Sequence, residues 1–395
     1  MGERTKIVLK SGKDQSLRRY HPWVFSGAIK KIHGPAREGD VVDVYDNKDE
    51  YLASGHYQDG SIAIRVLSFD RVDVDQAFWD GRIRAAWQRR EKLGLVADPN
   101  TNVFRWINAE GDGMPGLIID YYAGAAVIQM HSIGMYKKMD AIRDALLKVT
   151  EAEIHTIYNK SNSTLPEKPG IDQRSGFVMG DMARGEVVEH GFRFNVNWTE
   201  GQKTGFFVDQ RENRKLLGEW SRDRKVLNMF GYTGGFSVYA LGGGATLVHS
   251  VDSSGKAIDL TRENMEMNFP SNSNHEAYAV DAFSYFGEMK ERYDLIILDP
   301  PAFAKHQRVL NNALQGYKRL NQRALEQIAP GGILFTFSCS QAVSRENFRR
   351  SVFVAAANAK RNVRILHQMT QPADHPVSLY HPEGEYLKGL VLEVD

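Results

Sequence analysis

Four residues that could do chemistry directly follow or end apolar segments typical of buried strands. Asp252, Asp281 and Asp299 are three of them, and the fourth is Cys339, the only cysteine in the chain. Ligands of an open parallel sheet bind outside the carboxyl ends of its strands, so these residues are predicted to share one site. A carboxylate at Asp252 could accept hydrogen bonds from both hydroxyls of an adenosine ribose, and one at Asp281 could bind an adenine amino group. Asp252 could instead belong to the cap of the next helix.

A glycine-rich turn precedes Asp252 by about twenty residues, the spacing found in nucleotide sites. It contains Phe230-Gly231-Tyr232-Thr233-Gly234-Gly235, and glycines let the backbone come close to a ligand. The spacing differs from the G-x-G-x-x-G of dinucleotide-binding proteins, which disfavours NAD or FAD. By itself, the turn is equally compatible with a structural role.

Asp299 and Cys339 are the candidate catalytic pair. Asp299 is followed by Pro300 and Pro301, which stiffen the chain and suit the holding of a planar base, although a simple strand stop is the alternative. A lone cysteine more often packs as a small hydrophobic residue. Cys339, however, ends the strand expected beside that of Asp299, so both could face one substrate, which favours a nucleophile.

The elements that must position these residues alternate strand and helix beyond residue 187. Apolar strands are predicted at 225–229, 247–251, 277–280, 295–298 and 333–337, with helices starting at Gly235, Ser254 and Ser344 and one over 314–328. This pattern predicts an α/β fold with a mostly parallel sheet covered on both faces. The last two strands, at 364–369 and 387–394, are joined by a short proline-rich stretch that suits an antiparallel pair.

The N-terminal part is predicted to be a small β-barrel, because residues 5–70 contain short strands and turns. One edge carries basic and aromatic residues that could contact phosphates and stack on a base, namely Lys10, Lys13, Arg18, Arg19, His21 and Trp23. The alternative is a solvated turn with a core tryptophan.

A compact α+β domain is predicted between the barrel and the parallel sheet. Its elements are a helix over 76–93, strands at 103–108, 117–122, 125–130 and 155–159, and a helix near 136–149. Arg82, Arg84, Arg89, Arg90 and Lys92 are expected to give the first helix a basic surface, and a polar, proline-bearing stretch over 162–174 ends the domain. The predicted domains are therefore 1–72, 73–186 and 187–395.

Composition sets further limits. The chain has 395 residues, of which 42% are hydrophobic and 25% charged, as in a folded globular protein. The net charge of +1 gives no overall support to a nucleic-acid partner. An apolar run of membrane-spanning length and a signal peptide are both lacking, and one cysteine excludes an internal disulfide and a cysteine-rich zinc site, so a cytoplasmic protein without a membrane partner or metal is expected.

Over essentially its whole length the chain resembles the bacterial large-subunit (23S) ribosomal RNA cytosine-C5 methyltransferase family. Members carry an N-terminal PUA barrel, a middle α+β domain and a C-terminal Rossmann-like methyltransferase domain. The matching motifs are His21-Pro22-Trp23, residues 202–207 leading to Asp209-Gln210-Arg211, residues 230–236, Asp299-Pro300-Pro301 and Ser338-Cys339-Ser340.

The resemblance implies S-adenosylmethionine as cofactor and ribosomal RNA as partner. It implies that the cofactor is bound by Asp209, Arg211, Phe230, Gly231, Tyr232, Thr233, Gly234, Gly235, Asp252, Asp281, Ala282 and Asp299. Cys339 would attack carbon 6 of the cytosine while Asp299 assists at ring nitrogen 3, and the basic barrel would hold the surrounding RNA.

Two other functions stay open. Enzymes that methylate exocyclic amines commonly carry Asn-Pro-Pro-aromatic where this chain has Asp299-Pro300-Pro301-Ala302, which disfavours an amino-group target. Relatives that act on a guanine ring nitrogen share the Asp-Pro-Pro form, so one alternative is a guanine methyltransferase in which Cys339 merely packs. The other is a non-catalytic RNA-binding or assembly factor. The oligomeric state also stays open, a homodimer included.

Overall fold

The computed structural model describes residues 4–167, 174–304 and 306–395, so the polar stretch predicted over 162–174 lies partly outside the described residues. The chain divides into two compact units. One comprises the chain up to Val187 together with Val196–Val208 and Ala373–Gly384, and the other comprises Val188–Asn195, Asp209–Pro372 and Glu385–Asp395. The domain limits from sequence stay a prediction.

The N-terminal strands form a mostly antiparallel sheet. The elements are β1 (Lys6–Leu9), α1 (Gln15–Arg18), β2 (Trp23–Phe25), β3 (Ile29–His33), β4 (Val41–Tyr45), β5 (Tyr51–Tyr57) and β6 (Ile62–Ser68). The strand order is β2-β6-β5-β4-β1-β3, in which β1 pairs with β4 in parallel. Val42 and Val44 alternate with less buried residues along β4, so one face of this strand builds the core.

The next elements are α2 (Gln76–Lys92), β7 (Val103–Asn108), β8 (Leu117–Tyr122), β9 (Ala125–Met130), α3 (Ile133–Tyr136), α4 (Met139–Leu147), β10 (Thr156–Asn159) and β11 (Gly176–Met179). The strands lie in the order β11-β10-β9-β8-β7. Two helices replace the one predicted near 136–149, because the Ser132 side chain accepts a hydrogen bond from the Met135 amide and starts a short helix earlier in the chain.

The expected basic surface of α2 is wrong for two of its arginines. The Arg90 side chain is buried, and its guanidinium donates two hydrogen bonds of 2.7 and 2.8 Å to the two carboxylate oxygens of Asp112. Arg82 is half-buried and donates to the carbonyl of Leu67 at 2.9 Å. The planar guanidinium satisfies its donors inside the fold, which a pattern of charges along the sequence does not reveal.

The remaining elements are β12 (Arg184–Glu189), β13 (Phe192–Asn197), α5 (Arg211–Glu219), β14 (Lys225–Met229), α6 (Gly235–Gly242), β15 (Leu247–Asp252), α7 (Gly255–Asn268), β16 (His275–Ala279), α8 (Ala282–Glu288), β17 (Leu295–Leu298), α9 (Leu310–Gln327), β18 (Gly332–Ser338), α10 (Arg345–Asn358), β19 (Val363–Met369) and β20 (Lys388–Val394). β12 and β13 form a two-stranded sheet that the sequence did not predict, and the domain limit proposed after residue 186 falls inside β12.

The large sheet has the order β16-β15-β14-β17-β18-β20-β19. β14 to β18 are parallel to their neighbours among these strands, whereas β20 runs antiparallel between β18 and β19, as the sequence predicted for the last strands. From β14 the chain continues to β15 and β16 on one side of the sheet, and from β17 it continues to β18 on the other side. Right-handed crossovers in these two opposite directions place helices on both faces of the sheet. Phe286 of α8, Tyr317 of α9 and Phe348 of α10 pack in one buried cluster with the strands. In the described part of the chain, no helix combines the length and the apolar character needed to cross a membrane.

Candidate active site

Register brings the carboxyl ends of the parallel strands to one level. Met229 of β14 pairs with Val251 of β15 and with Leu298 of β17, and Leu298 pairs with Thr336 of β18. The residues that follow these positions therefore meet at one edge of the sheet. As expected from the sequence, the strand that leads to Asp299 lies beside the strand that leads to Cys339.

The glycine-rich turn after β14 has an unusual backbone. Phe230, Tyr232 and Gly234 have φ values of +60°, +47° and +78°, in the left-handed region that residues with a side chain rarely adopt. A Cβ added to Gly234 would lie 2.7 Å from a methyl carbon of Thr261. The turn thus requires glycine at this position, and the left-handed backbone of Phe230 and Tyr232 holds strain of the kind found at ligand sites.

Helix α7 fixes the turn from one side. Thr261 donates its hydroxyl hydrogen bond to the carbonyl of Tyr232 at 2.9 Å, and the Asn264 amide donates to the carbonyl of Thr233 at 2.9 Å. Both side chains are buried. These two hydrogen bonds hold the carbonyls of Tyr232 and Thr233 in place, so the turn keeps its conformation without a ligand.

Asp252 lies against the same turn. Its Oδ2 accepts the amide hydrogen of Tyr232 at 3.0 Å, and its Oδ1 accepts that of Ser254 at 2.9 Å. Ser254, not Asp252, caps α7 through a bond from the Ala257 amide. Each carboxylate oxygen retains acceptor capacity beyond its one bond, and the side chain is half-buried.

Asp281 caps α8. Its Oδ1 accepts the amide hydrogens of Phe283 and Ser284 at 2.9 and 3.1 Å, and the residue is exposed. Ala282, the next residue, is buried. The carboxylate therefore has a structural task, with its Oδ2 left for another partner.

Asp299 is held by the segment that precedes α5. Gln210 donates from Nε2 to Oδ2 of Asp299 at 3.0 Å, and Gln210 in turn accepts a bond of 2.6 Å from Asn213 Nδ2. Burial and the neighbouring Asp209 carboxylate raise the pKa of Asp299 to about 7. Near neutral pH this side chain can therefore both donate and accept a proton.

Asp209 and Arg211 flank Gln210. Tyr386 donates its hydroxyl hydrogen to Oδ2 of Asp209 at 2.7 Å, whereas Oδ1 is buried and accepts no hydrogen bond from the residues that the structure describes. The Arg211 side chain is buried and donates to Glu212 at 3.0 Å. An orphaned buried carboxylate oxygen at a site edge indicates a missing partner.

Cys339 follows β18 and is half-buried. Its Sγ lies 3.9 Å from the carbonyl oxygen of Pro300, directly after Asp299. Burial, with the Asp299 and Asp209 carboxylates, raises the pKa of Cys339 to about 12. The thiol therefore carries its proton at neutral pH in this state.

A buried ion pair supports this arrangement. Arg214 of α5 donates to both carboxylate oxygens of Glu189 at 2.8 and 2.7 Å, and Tyr239 of α6 donates to Glu189 at 3.0 Å. A Cβ added to Gly235, at the start of α6, would lie 3.1 Å from Cδ of Arg214. This pair thus joins α5 to the helix that begins at the glycine-rich turn.

The basic residues of the N-terminal sheet differ in their availability. Arg18 contacts three carboxylates, those of Asp14, Asp46 and Glu50, at 2.6 to 2.8 Å. Lys10 donates to the carbonyl of Gly27 at 2.9 Å. The side chains of Lys13 and Arg19 are exposed and make no ion pair or hydrogen bond with the described residues, so they are the more available cations.

Trp23 is less exposed than its sequence context suggested. It is half-buried, its Nε1 donates to Glu110 at 2.8 Å, and its ring centroid lies 4.4 Å from that of His381. His21 lies edge-on to the same tryptophan, with 6.0 Å between centroids. The exposed aromatic beside them is Phe25, which the sequence analysis did not single out.

Three polar residues of the site were missed from sequence as candidates. Gln210 was quoted only as part of a motif, Tyr386 lies two residues before β20, and Lys388 is the first residue of β20. A lysine that opens a mostly apolar strand was the available signal for Lys388. Its Nζ donates to the carbonyl of Ser340 at 2.7 Å.

The strand order, the glycine-rich turn and the acids at successive strand ends define an S-adenosylmethionine-dependent methyltransferase fold. A family model described as S-adenosylmethionine-dependent methyltransferase matches residues 107–378, and the chain belongs to this family. A second model, described as a PUA-like domain, matches residues 7–69.

Relatives match along the full chain. It is 38% identical to "Ribosomal RNA large subunit methyltransferase I" of Alteromonas mediterranea, over 98% of each chain. It is 40% identical to the protein of the same name from Photobacterium profundum, over 99% of each. The solved structure "A putative sam-dependent methyltransferase from Streptococcus mutans" aligns with a TM-score of 0.84 over 98% of this chain and 100% of that chain, at 23% identity, which shows a shared fold.

The described residues fit the cofactor of this family, S-adenosylmethionine. Asp252 offers further acceptor capacity beside a rigid turn of left-handed backbone, and Oδ1 of Asp209 lacks a partner among the described residues at the same sheet edge. A cofactor with two ribose hydroxyls and a cationic end supplies donors and charge of the required kind.

Proposed function

We propose that this protein transfers a methyl group from S-adenosylmethionine to carbon 5 of a cytosine in large-subunit (23S) ribosomal RNA, with Cys339 as the nucleophile. The observation that carries the proposal is the pairing of β17 with β18: Asp299 and Pro300 follow β17, and Cys339 follows β18. The RNA substrate is supported by the names of the relatives, which are ribosomal RNA large subunit methyltransferases over almost the whole length.

The cofactor is proposed to lie across the strand ends. Asp252 would accept the ribose hydroxyls, Asp281 the adenine amino group, and the turn from Phe230 to Gly235 would pass under the nucleoside. Ala282 would line the adenine side, while Asp209, Arg211 and Asp299 would border the methionine side. When bound, S-adenosylmethionine supplies the electrophilic methyl group that carbon 5 of the base accepts.

The chain's own residues would activate the base in one concerted exchange. The Sγ–H bond of Cys339 breaks while Sγ bonds to carbon 6, and the displaced electron pair reaches ring nitrogen 3. Asp299, with a pKa of about 7, reacts as the carboxylate: it takes the thiol proton and passes it to ring nitrogen 3, so no charge accumulates on the ring. After methylation a base removes the carbon 5 proton and the carbon 6–sulfur bond breaks with its electron pair going to sulfur. Nitrogen 3 then returns its proton through Asp299 to that sulfur.

The target cytosine must be unstacked for this attack, because carbon 6 is inaccessible inside a helix. Pro300 and Pro301 stiffen the backbone where the planar base would lie. The proposed RNA contacts remain Lys10, Lys13, Arg18, Arg19, His21 and Trp23. Lys13 and Arg19 are the strongest of this group because their charges are not neutralised by a described neighbour.

A second candidate is methylation of a guanine in the same RNA, and one observation favours it. The pKa of Cys339 is raised to about 12, as for a thiol that packs and does not react. Asp299 would then accept a proton from the guanine ring while Cys339 lines the pocket. The covalent mechanism therefore needs a local feature that stabilises the thiolate.

The experiment that tests the proposal is methyl transfer to unmodified ribosomal RNA. Purified protein is incubated with labelled S-adenosylmethionine and large-subunit RNA, and the nucleosides are separated. We expect label in 5-methylcytidine with the wild type and none with Cys339→Ala. Label in a methylguanosine would overturn the proposal in favour of the second candidate.

A further inference from the structure

Lys388 is buried without a carboxylate partner. It has a relative exposure of 5% and is the one lysine in the described ranges 4–167, 174–304 and 306–395 that is buried. The hydrogen bond found for its Nζ leads to a neutral group, the carbonyl of Ser340, at 2.7 Å. Burying an ammonium group costs several kcal/mol unless it is paired, as a rough figure, so this residue calls for an explanation.

The position of Lys388 is set by the sheet. Lys388 pairs with Ser338 in the antiparallel ladder of β18 and β20, which brings it level with the strand end that carries Cys339. Its Nζ then reaches the carbonyl of Ser340, one residue beyond Cys339. The ammonium and the thiol therefore belong to the same three-residue stretch, Ser338 to Ser340.

We propose that Lys388 is a positioning residue for Cys339, whose ammonium stabilises the thiolate and whose hydrogen bond fixes the strand end that carries the sulfur. The inference rests on the proposed function, in which Cys339 is the nucleophile. It supplies the local feature that the covalent mechanism needs.

The charges around the thiol make a cation necessary. Asp299 and Asp209 both oppose ionisation of Cys339, and Lys388 favours it. Burial lowers the pKa of Lys388 to about 8, with Arg345 acting in the same direction and Cys339 in the opposite one. When the Sγ–H bond breaks, the electron pair stays on sulfur, the proton passes towards Asp299, and Lys388 keeps its three protons as the counter-charge.

Thiol alkylation measures this pairing directly, because the chain has one cysteine. The rate of reaction of the full-length protein with iodoacetamide is measured at pH 7, where Lys388 still carries its charge and the rate is proportional to the small thiolate fraction of Cys339. Lys388→Met removes the charge and keeps the length of the side chain, and we expect the thiol pKa to rise by about one unit or more. This corresponds to an alkylation rate about tenfold lower than that of the wild type.

Three variants control the comparison. Lys388→Arg keeps the charge and should retain most of the wild-type rate. Arg345→Met removes an exposed cation that pairs with Glu385 and acts on Lys388 only electrostatically. It should change the rate less than about twofold because solvent screens it. Cys339→Ala should take up no label. Binding of S-adenosylhomocysteine at wild-type affinity checks the fold, and Lys388→Gln, which can still donate to Ser340, replaces Lys388→Met if that variant does not fold.

An unchanged alkylation rate at pH 7 in the charge-removing variant would overturn the inference. The outcome is separable from that of the proposed function, because alkylation is measured without RNA. If Cys339→Ala still methylates cytosine, the proposed nucleophile is wrong even where Lys388 shifts the thiol. If Cys339→Ala is inactive and Lys388→Met alkylates like the wild type, the nucleophile stands and Lys388 has no part in its ionisation.

Discussion

Asp299→Asn replaces a carboxyl group that titrates by an amide that does not, and it leaves the shape of the side chain almost unchanged. In the folded protein the pKa of Asp299 is raised from 3.8 to about 7, chiefly by burial. A raised pKa means that the folded state binds the proton more tightly than the unfolded state. The stabilising contribution of the protonated group is therefore complete below pH 4 and is lost as the pH rises to 7.

The size of this loss follows from the shift. A difference of about three pKa units corresponds to about 4 kcal/mol over the whole window, at about 1.36 kcal/mol per unit. Part of the window lies below pH 5, and the half-buried side chain is partly screened, so we expect the wild type to lose about 2 kcal/mol of unfolding free energy between pH 5 and pH 8. D299N has no such titration and should gain about 2 kcal/mol relative to the wild type over this range.

Urea unfolding at pH 5 and pH 8, followed by circular dichroism, measures both proteins. Asn321→Ala is a matched control, because it removes a buried, uncharged side chain of α9 that donates to the Tyr317 carbonyl. Its stability difference from the wild type should be the same at both pH values. If the difference between D299N and the wild type is also the same at both, the inferred protonation of Asp299 is refuted.

Three further predictions concern the cofactor, the scaffold and the RNA. Asp252→Ala should weaken S-adenosylhomocysteine binding by about 10- to 100-fold in calorimetry, as expected for the loss of a charged hydrogen-bond acceptor. Asp259→Ala, on the exposed side of α7, should leave the affinity unchanged, and equal affinities of the two variants would exclude Asp252 from the cofactor site. Glu189→Gln should lower the unfolding free energy by about 3 kcal/mol or more, because the buried Arg214 guanidinium loses the carboxylate charge beside it. Glu219→Gln, at an exposed position of α5, should lower it by less than about 1 kcal/mol, and a small effect of E189Q in urea unfolding would contradict the role of the Arg214–Glu189 pair. Arg19→Ala should reduce the slope of log affinity for RNA against log salt concentration by about one unit in filter binding. Arg18→Ala should change this slope little, because three carboxylates already neutralise Arg18, and the reverse order would show that the RNA displaces those carboxylates.

The parallel part of the large sheet could be predicted from sequence because its strands carry their own signal. The segment 295–298 is apolar throughout and 225–229 is mostly so, and each is followed by residues that suit a ligand edge. The β12–β13 hairpin was missed because charged residues interrupt its alternation, as in Arg184–Glu189. The sequence pattern of a single segment is enough to predict the parallel strands, whereas the β12–β13 hairpin forms through pairing with a partner strand, which the local pattern does not show.

The same distinction applies to the site. Asp252, Asp299 and Cys339 could be proposed because strand ends of a parallel sheet meet at a known edge. Lys388 could not, since its place beside Cys339 depends on the insertion of β20 between β18 and β19. The burial of Arg90 depends likewise on a distant carboxylate, Asp112, so no pattern along α2 could reveal it.

The claim that Cys339 bonds to carbon 6 is tested most directly by trapping that bond. A ribosomal RNA fragment whose cytosines carry fluorine at carbon 5 has no proton there to remove, so release of the thiol after methylation is blocked. With S-adenosylmethionine present, the wild-type protein should form a complex with this RNA that survives denaturing electrophoresis, and Cys339→Ala should form none. Absence of the complex with the wild type, or its persistence in Cys339→Ala, would contradict the covalent mechanism.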